Sequence, residues 1–373
     1  MKNIIHYISY FYRNPVTGFR RHHSIKRLTN LLVNTIEKKT RRTKLMSYPY
    51  KILIDPTNIC MLNCPLCPTG QGLEGRRKGK MTFDSFKAIV DQVGNFAYSL
   101  ELYSWGEPLL NEALFEMVRY AQNEKLLSVH LSTNLQYFPE GCAERLVQSG
   151  LEWLIVSLDG ATQDTYERYR VGGSFDKVID NIRKIVATKR NLNSLNPFVD
   201  IRFLVMRHNE HEISSLKKIA RELEVDHLEI APVMVNIKDD REVERWLPED
   251  ESLSCYDYKR RTKKVLLKNC SLSWNAVSIG WDGSVTPCCH LYHESSDFGN
   301  LMQDSFRNIW NNELYRKSRS ILNHLRASSG DPLTACKLCL KPYLMSKNKS
   351  EIDLVNESLT NKLRLIPEKS NLS

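Results

Sequence analysis

The sequence predicts an α/β protein with a parallel sheet, followed by a smaller cysteine-bearing domain. The first observation is that short apolar runs typical of strands alternate with helical patterns from about residue 48. The second is that this alternation stops after residue 240, in a charged stretch that contains Pro248. The third is that cysteines cluster on both sides of this stretch. Successive β–α units imply parallel strands, because each helix returns the chain to the same end of the sheet.

Six strands and five helices are predicted in this series. The strands lie at 50–54, 100–104, 128–132, 153–157, 199–205 and 227–230, and the helices at 82–95, 112–124, 141–148, 175–189 and 212–222. Thr82, with an acid close behind it, predicts the start of the first helix. Six units fit either an open partial barrel or a doubly wound sheet, and periodicity does not choose between them. Further along, Asp282-Gly283 between apolar runs predicts a β-hairpin.

These patterns divide the chain into five segments. We predict a basic N-terminal extension (1–47), a β–α core (48–240), a linker (241–262), a cysteine-bearing domain (263–345) and a polar tail (346–373). The first 50 residues hold eleven Lys/Arg and a single acid, Glu37, so the net charge of +10 belongs to the extension. Two interpretations stay open: residues 1–45 contact an anionic membrane, or they pack on the protein's own body, which we favour. Nucleic acid is not expected as a partner, because the body lacks a basic stripe.

The cysteines favour metal binding over disulfides. No apolar run approaches the roughly 18–20 residues that span a bilayer, and the N-terminus lacks the pattern of a signal peptide. We therefore expect a cytoplasmic protein, peripheral at the inner face of the membrane if residues 1–45 bind lipid. Ten cysteines in such a chain point to metal or catalytic use.

Cys60, Cys64 and Cys67 form a C-x3-C-x2-C triplet just after the first predicted strand. Three thiolates can hold three irons of a [4Fe–4S] cube and leave the fourth iron open for reaction. A structural zinc site is the alternative, but zinc needs a fourth ligand and usually takes paired C-x2-C halves. The triplet therefore favours an iron–sulfur cluster.

With this triplet the chain resembles the radical S-adenosylmethionine (radical SAM) superfamily, although Leu66 stands where the family often has an aromatic residue. The segment 104–108, Ser-Trp-Gly-Glu-Pro, resembles the family's Gly-Gly-Glu-Pro motif, with Trp105 in place of the first glycine. Ser132-Thr133-Asn134 and Ser157-Leu158-Asp159-Gly160 end the next two strands. The resemblance implies a partial (β/α)6 TIM-like barrel that binds the [4Fe–4S] cluster and SAM at these strand ends.

The resemblance also implies the SAM-binding residues, which we expect to be Gly106, Glu107, Asn134, Ser157, Asp159 and Arg170. Arg170 would grip the SAM carboxylate or would form an ordinary surface salt bridge, and the same two interpretations apply to Arg202. The sequence assigns no catalytic side chain.

The later cysteines resemble the SPASM and twitch extensions of radical SAM enzymes. Cys270, Gly283 and Cys288 fit the C-x(9–15)-G-x4-C opening, and Cys336-Lys337-Leu338-Cys339 supplies a second pair. This resemblance implies one auxiliary [4Fe–4S] cluster, ligated by Cys270, Cys288, Cys336 and Cys339. A four-cysteine zinc ribbon is the alternative. Cys289 either replaces Cys288 or is a buried free thiol, and we expect His290 and His293 to form local hydrogen bonds.

The resemblance implies reductive cleavage of SAM and hydrogen abstraction by a 5′-deoxyadenosyl radical, with a flavodoxin or ferredoxin-type reductant. A radical SAM oxidoreductase that oxidises a small-molecule or sugar-type substrate is favoured, because an auxiliary cluster can accept an electron, as in aminocyclitol dehydrogenases of the twitch class. A peptide-modifying maturase is the second hypothesis, and its usual N-terminal recognition domain is longer than the extension here. A zinc-binding interaction protein without radical chemistry is the third. The sequence does not identify the substrate.

Overall fold

The computed structural model describes residues 24–237, 239–264, 270–324 and 336. The predicted polar tail, the first 23 residues and Cys339 lie outside this part of the chain. Within it, helix α1 (Ile25–Lys39) precedes a series of alternating strands and helices. These are β1 (Lys51–Ile54), α2 (Phe83–Val93), β2 (Ser99–Glu101), α3 (Leu114–Asn123), β3 (Ser128–Thr133), α4 (Cys142–Gln148), β4 (Trp153–Ser157), α5 (Gln163–Tyr169), α6 (Phe175–Asn191), β5 (Phe198–Val205), α7 (Ile213–Glu222) and β6 (His227–Pro232).

Shorter elements follow the sixth strand. They are α8 (Asp240–Trp246), β7 (Tyr256–Asp257), β8 (Thr262–Lys263), α9 (Leu272–Asn275), β9 (Ala276–Ile279), β10 (Ser284–Thr286), β11 (Gly299–Asn300), α10 (Phe306–Trp310) and α11 (Glu313–His324). The segment predicted as a linker thus contains most of α8 and the antiparallel pair β7–β8.

Strands β1 to β6 lie side by side in chain order and are all parallel. A doubly wound sheet would reverse its order after the first strand, whereas this one advances in a single direction. The strand order therefore resolves the choice that periodicity left open and confirms the partial barrel. Within the described residues the sheet ends at β6 on one side and β11 on the other.

The C-terminal hairpin extends the same sheet. Strand β9 pairs in parallel with β1, with Ile52 opposite Val277, and β10 returns antiparallel to β9. The predicted turn at Asp282-Gly283 is confirmed, and Gly283 has φ +83°, a left-handed conformation that glycine adopts without a steric cost. The cysteine-bearing segment is consequently joined to the barrel by backbone hydrogen bonds.

Alternation along the strands separates two faces of the sheet. In β3, Val129 and Leu131 are buried in the main hydrophobic core, while Ser128, His130 and Ser132 face the other way. The core lies between the sheet and its helices, whose starts are capped as expected: the Thr82 hydroxyl accepts a hydrogen bond from the Ser85 N–H at 3.1 Å. The opposite, inner face of the barrel is mostly polar.

The described part of the basic extension packs on the body, as the favoured interpretation expected. Arg27 donates to the Leu126 carbonyl at 2.7 Å, and Asn34 donates to the Trp274 carbonyl at 2.6 Å. Both carbonyls lie just before a strand, so α1 covers the N-terminal end of the barrel. No helix among the described residues is both long and apolar enough to cross a membrane.

Candidate functional site

The cysteine triplet lies on a tight loop beyond the C-terminal end of β1. The Leu62 N–H points at Cys60 Sγ over 3.4 Å, and the Cys67 N–H donates to the Cys64 carbonyl at 3.1 Å. Burial is the main cause that raises the pKa of Cys60 to about 11, and charge on Cys64 and Cys67 adds to it. The three thiols therefore lie close together, and a cationic metal cluster would offset the cost of ionising them.

Two side chains direct N–H donors at the sulfur atoms of this loop. Asn134 Nδ2 lies 3.6 Å from Cys60 Sγ, and Arg170 Nη1 lies 3.8 Å from Cys64 Sγ. Donors of this kind stabilise electron-rich thiolates and tune the clusters that they hold. The donor set fits an iron–sulfur cluster on Cys60, Cys64 and Cys67.

Glu107 is fully buried and uses its carboxylate to join two strand ends. One oxygen accepts from the Thr133 hydroxyl at 2.7 Å and from the Leu109 N–H at 3.1 Å, and the other accepts from the Asn134 N–H at 2.8 Å. Burial raises its pKa, while these hydrogen bonds lower it in part. Glu107 thus positions Asn134 beside the triplet.

Gly106, the neighbour of Glu107, lies against the backbone that leads into the triplet. A β-carbon at this position would come within 1.9 Å of the Thr57 carbonyl oxygen, so the close approach requires glycine. Trp105 stands where the family has glycine, and its ring packs edge-on against the Tyr292 ring, with 5.7 Å between the ring centres. The substitution therefore connects this turn to the cysteine-bearing segment.

Arg170 and Asp159 form a buried ion pair at the end of β4. Arg170 Nε lies 2.6 Å from Asp159 Oδ2, and Asp159 Oδ1 accepts from the Leu204 N–H at 2.7 Å. Burial lowers the pKa of the guanidinium, but the charges of Asp159 and Cys64 outweigh it and leave the pKa raised. Ser157, at the end of the same strand, is half-buried on the inner face. The predicted SAM residues thus surround one mouth.

The auxiliary cysteines lie partly within the described residues. Cys336 and Cys288 both lie near the Tyr315 hydroxyl and raise its pKa, although burial is the larger cause. Cys336 Sγ is 4.0 Å from the hydroxyl of Ser273, and Ser273 follows Cys270 by three residues. The structure therefore brings the regions of three predicted ligands together, while Cys339 lies outside the described residues.

Cys289 and His290 belong to the same loop as Cys288. The ligand atoms of these three residues lie within 4.8 Å of one another, so each is near enough to coordinate a shared metal. This arrangement is compatible with Cys289 either as a metal ligand or as a thiol that binds no metal.

The inner face of the barrel holds functional candidates that sequence reasoning missed. Neighbouring strands are linked there by the ion pairs of Lys51 with Glu101 and of Arg202 with Glu229 at 2.7 Å, and by a hydrogen bond between the His227 ring and the Asp200 carboxylate at 2.7 Å. Arg202, singled out from the sequence, is therefore paired, with about a third of its side chain exposed. The available signal was the pair of charges at Asp200 and Arg202 in β5, since alternate residues share a face.

Tyr103 connects this inner face to the cysteine-bearing segment. Burial raises the pKa of its hydroxyl, and hydrogen bonding to Glu101 and the charge of Cys289 raise it further. Asp55, at the end of β1, is also buried, with Oδ2 accepting from the Trp105 N–H at 3.3 Å. Burial is the largest cause that raises the pKa of Asp55 to about 7. Neither residue was a candidate from the sequence.

Comparison with known proteins agrees with this geometry. Residues 54–233 match the radical SAM superfamily, and residues 270–340 match the SPASM iron–sulfur cluster-binding domain. An AdoMet-dependent heme synthase of Methanosarcina barkeri is 26% identical over 73% of this chain and 85% of its own length. A PqqA peptide cyclase of Gluconobacter oxydans is 26% identical over 72% of this chain and 78% of its own.

Solved structures show the same fold. Streptococcus suis SuiB bound to S-adenosylmethionine aligns with a TM-score of 0.56 and 16% identity, over 77% of this chain and 71% of its own. The enzyme anSMEcpe with bound AdoMet aligns with a TM-score of 0.55 and 16% identity, over 86% of this chain and all of its own. Radical SAM and SPASM domains use SAM and [4Fe–4S] clusters, which are therefore the cofactors here. The chain belongs to the radical SAM superfamily and carries a C-terminal SPASM domain.

Proposed function

We propose that this radical SAM enzyme abstracts hydrogen from a small, polar, sugar-type substrate and oxidises it with the help of one auxiliary cluster. The observation that carries the proposal is the polar inner face of the barrel, which leads to the mouth where the triplet lies. When bound, the cluster and SAM supply a 5′-deoxyadenosyl radical that attacks a C–H bond. The protein's own residues then have to place substrate and SAM at one mouth and exclude water.

The SAM site is proposed at the converging strand ends. Cys60, Cys64 and Cys67 would hold the cluster, and the Arg170 cation would balance the carboxylate of SAM. Asp159 fixes Arg170 through Nε and Cys64 Sγ lies near Nη1, which leaves Nη2 for a ligand. Gly106, Glu107, Asn134 and Ser157 complete the proposed site. Each lies at or just beyond the C-terminal end of a strand, where parallel barrels place their ligands.

A hydroxylated substrate fits the inner face better than an apolar one. Arg202 and Glu229 are about one-third exposed and can exchange part of their mutual contact for hydrogen bonds to a ligand. His227, hydrogen-bonded to Asp200, adds a third polar group two residues earlier along the same pair of strands. Buried polar groups of this kind reject ligands that cannot satisfy them, because unpaired groups are costly.

The auxiliary cluster supports an oxidation. We propose that Cys270, Cys288, Cys336 and Cys339 ligate it, which leaves no cluster position for substrate. After a hydrogen atom is abstracted from an alcohol carbon, formation of the carbonyl would release the hydroxyl proton to solvent and one electron, which a fully ligated cluster would accept.

A peptide substrate is the second candidate. The relationship to a PqqA peptide cyclase favours it, because that relative matches across both domains. A peptide would have to reach the same mouth, where the ion pair between Arg202 and Glu229 would then meet main-chain amides. Arg202 and Glu229 would therefore contact hydroxyl groups if the substrate is a sugar and main-chain amides if it is a peptide.

Two partners belong to the proposal. A flavodoxin or ferredoxin-type reductant would supply the electron that starts each turnover. An anionic membrane surface would contact the basic segment 1–45 from outside. Neither contact changes the chemistry at the mouth.

The test is anaerobic reconstitution with iron and sulfide, followed by 5′-deoxyadenosine formation under dithionite. We expect about eight irons per chain, four for each [4Fe–4S] cluster, and stimulation of SAM cleavage by a panel of free sugars, nucleotide sugars and aminocyclitols. A panel of peptides serves as the comparison. Stimulation by peptides alone would support the maturase, and absence of both iron and SAM cleavage would overturn the enzyme proposal.

A variant pair tests the inner face itself. Arg202→Gln/Glu229→Gln should abolish stimulation by the active sugar while leaving substrate-free SAM cleavage unchanged. Arg183→Gln/Asp180→Gln removes an exposed ion pair on α6 and should leave both activities intact.

A further inference from the structure

Helix α1 is amphipathic, but its polar side faces the protein. Arg27, Asn30, Asn34 and Glu37 are all at least 93% buried, and their spacing of three or four residues places them on one face. Surface helices normally bury the apolar face instead. The reversal requires partners for the buried polar groups inside the protein.

Those partners are backbone groups at the N-terminal end of the barrel. Arg27 donates to the carbonyls of Leu126 and Gly94, at 2.7 and 3.2 Å. Asn30 donates to the Tyr48 carbonyl at 3.1 Å, and its own oxygen accepts from the Tyr48 N–H at 2.8 Å. These contacts satisfy groups that precede β1, β2 and β3, and they fix which face of α1 points outward.

Glu37 belongs to the same interface and contacts the segment that precedes β1. Its carboxylate accepts from the Met46 N–H at 2.7 Å, the Ser47 N–H at 3.1 Å and the Ser47 hydroxyl at 2.6 Å. It is the only acid among the first 50 residues. The outward surface of this segment consequently carries no carboxylate of its own.

The outward face of α1 is an apolar stripe with cations beside it. Ile25, Leu28, Leu32 and Ile36 are 85%, 49%, 62% and 50% exposed and follow one another along one side of the helix. Single exposed apolar residues are common, whereas four in a row on one helix face mark an interaction surface. The exposed cations of this segment are Lys26, Lys38, Lys39, Arg41, Arg42 and Lys44. Lys26 also lies over the Phe96 ring and Arg41 donates to the Asn323 carbonyl, so the other four are the main cations for an outside partner.

We propose that this stripe docks on an anionic lipid bilayer, with its four apolar side chains at the headgroup boundary and the cations against lipid phosphates. The inference rests on the membrane contact proposed for residues 1–45 and names the face that makes it. Apolar residues beside Lys and Arg are the composition that anionic membranes bind. A second copy of the chain would bring two cationic faces together without an acid from either segment.

The placement of α1 orients the whole molecule on the bilayer. The helix covers the N-terminal strand ends, and the triplet lies beyond the C-terminal end of β1. Docking through the stripe therefore points the mouth away from the lipid. The substrate would arrive from solution rather than from within the membrane.

The experiment measures co-sedimentation of the full-length, reconstituted protein with vesicles of phosphatidylglycerol and phosphatidylcholine. Ile25→Ser/Leu28→Ser/Leu32→Ser/Ile36→Ser should weaken binding by about tenfold or more. Tyr137→Ser/Met302→Ser removes two exposed apolar side chains elsewhere and should bind within about twofold of wild type. Equal thermal unfolding of the variants would show that the changes act at the surface.

Two results would overturn the inference, and they differ in what else they affect. If the wild-type protein does not sediment with these vesicles, the membrane contact of residues 1–45 fails as well. If the wild-type and stripe variants bind equally, segment 1–45 still contacts lipid, but α1 does not supply the docking face. SAM cleavage in solution, measured in parallel, reports separately on the proposed chemistry.

Discussion

The Asn134 N–H donates to Glu107 Oε2 over 2.8 Å, which joins the turn after β2 to the end of β3. The Asn134 side chain then points its amide at Cys60 Sγ, 3.6 Å away. A buried carboxylate thus controls the position of a donor at the cluster loop without touching the sulfur itself. Glu107 acts through Asn134 and is a positioning residue.

Replacing Glu107 with Gln should destabilise the protein and loosen the cluster site. The new amide can keep one acceptor, but its NH2 group must face an N–H or hydroxyl donor, which leaves buried donors unpaired. We expect the free energy of unfolding to fall by about 1–3 kcal/mol, measured by urea denaturation of the iron-free chain. The exposed Glu112→Gln should change it by less than about 0.5 kcal/mol.

The same variant should alter the spectrum of the reconstituted cluster if Asn134 moves. Electron paramagnetic resonance of the reduced protein with SAM is the second measurement. An unchanged signal together with wild-type stability would contradict the positioning role of Glu107.

Asp55 should make stability depend on pH in a defined window. Burial raises its folded pKa to about 7 from an ordinary value of 3.8, so between these pH values the native state holds a proton that the unfolded chain has lost. Stability therefore falls as pH rises from about 4 to about 7, by about 2–4 kcal/mol in total from this group. Asp55→Asn should flatten that part of the pH profile of urea unfolding.

A matched variant separates this effect from general changes in charge. Asp180 is 61% exposed on α6, and Asp180→Asn should leave the pH profile as in wild type. If Asp55→Asn and wild type show parallel profiles between these pH values, Asp55 is ionised in the native state and the prediction is wrong.

Arg170→Lys should weaken SAM binding by about tenfold or more while preserving iron content. Lysine keeps a positive charge beside Asp159 but loses the planar set of donors that spans Asp159 and Cys64. Equilibrium dialysis of labelled SAM against the reconstituted protein measures the affinity. Arg168→Lys, an exposed neighbour on α5, is the control and should bind SAM normally.

The iron content of cysteine variants should show which cysteines outside the triplet bind the auxiliary cluster. Cys288→Ala and Cys336→Ala should each lower reconstituted iron from about eight to about four per chain, because the triplet cluster remains. Cys142→Ala, on α4, should keep all eight. SAM cleavage under dithionite should persist in every one of these variants, and its loss would show that the two clusters are not independent.

Much of the fold could be predicted, because a regular pattern of apolar residues identifies strands and helices directly from the sequence. Strands β3 to β6 begin within a residue of their predicted starts, whereas β2 ends at Glu101 rather than at residue 104. Helix α5 was missed because its seven residues are too few to show a helical apolar pattern. The pairing of β9 with β1 joins residues more than 220 positions apart, and no local pattern specifies such a contact.

The site was less predictable for a related reason. The cysteines and strand-end residues belong to recognisable motifs, but the contacts of Asp200 with His227 and of Arg202 with Glu229 depend on the register of two strands. Helix α1 was not predicted within the basic extension, and only the carbonyls beneath it determine that Arg27 and Asn34 lie on its buried side.

The backbone ladder between β1 and β9 fixes more than the shape of the sheet. The strand that leads to Cys60 and the hairpin that leads to Cys288 are hydrogen-bonded neighbours, with four residue pairs in register. The spacing between the two iron–sulfur centres is consequently set by the rigid main chain rather than by a movable domain boundary. In the proposed oxidation, electrons leaving the substrate would therefore travel a path of constant length in every turnover.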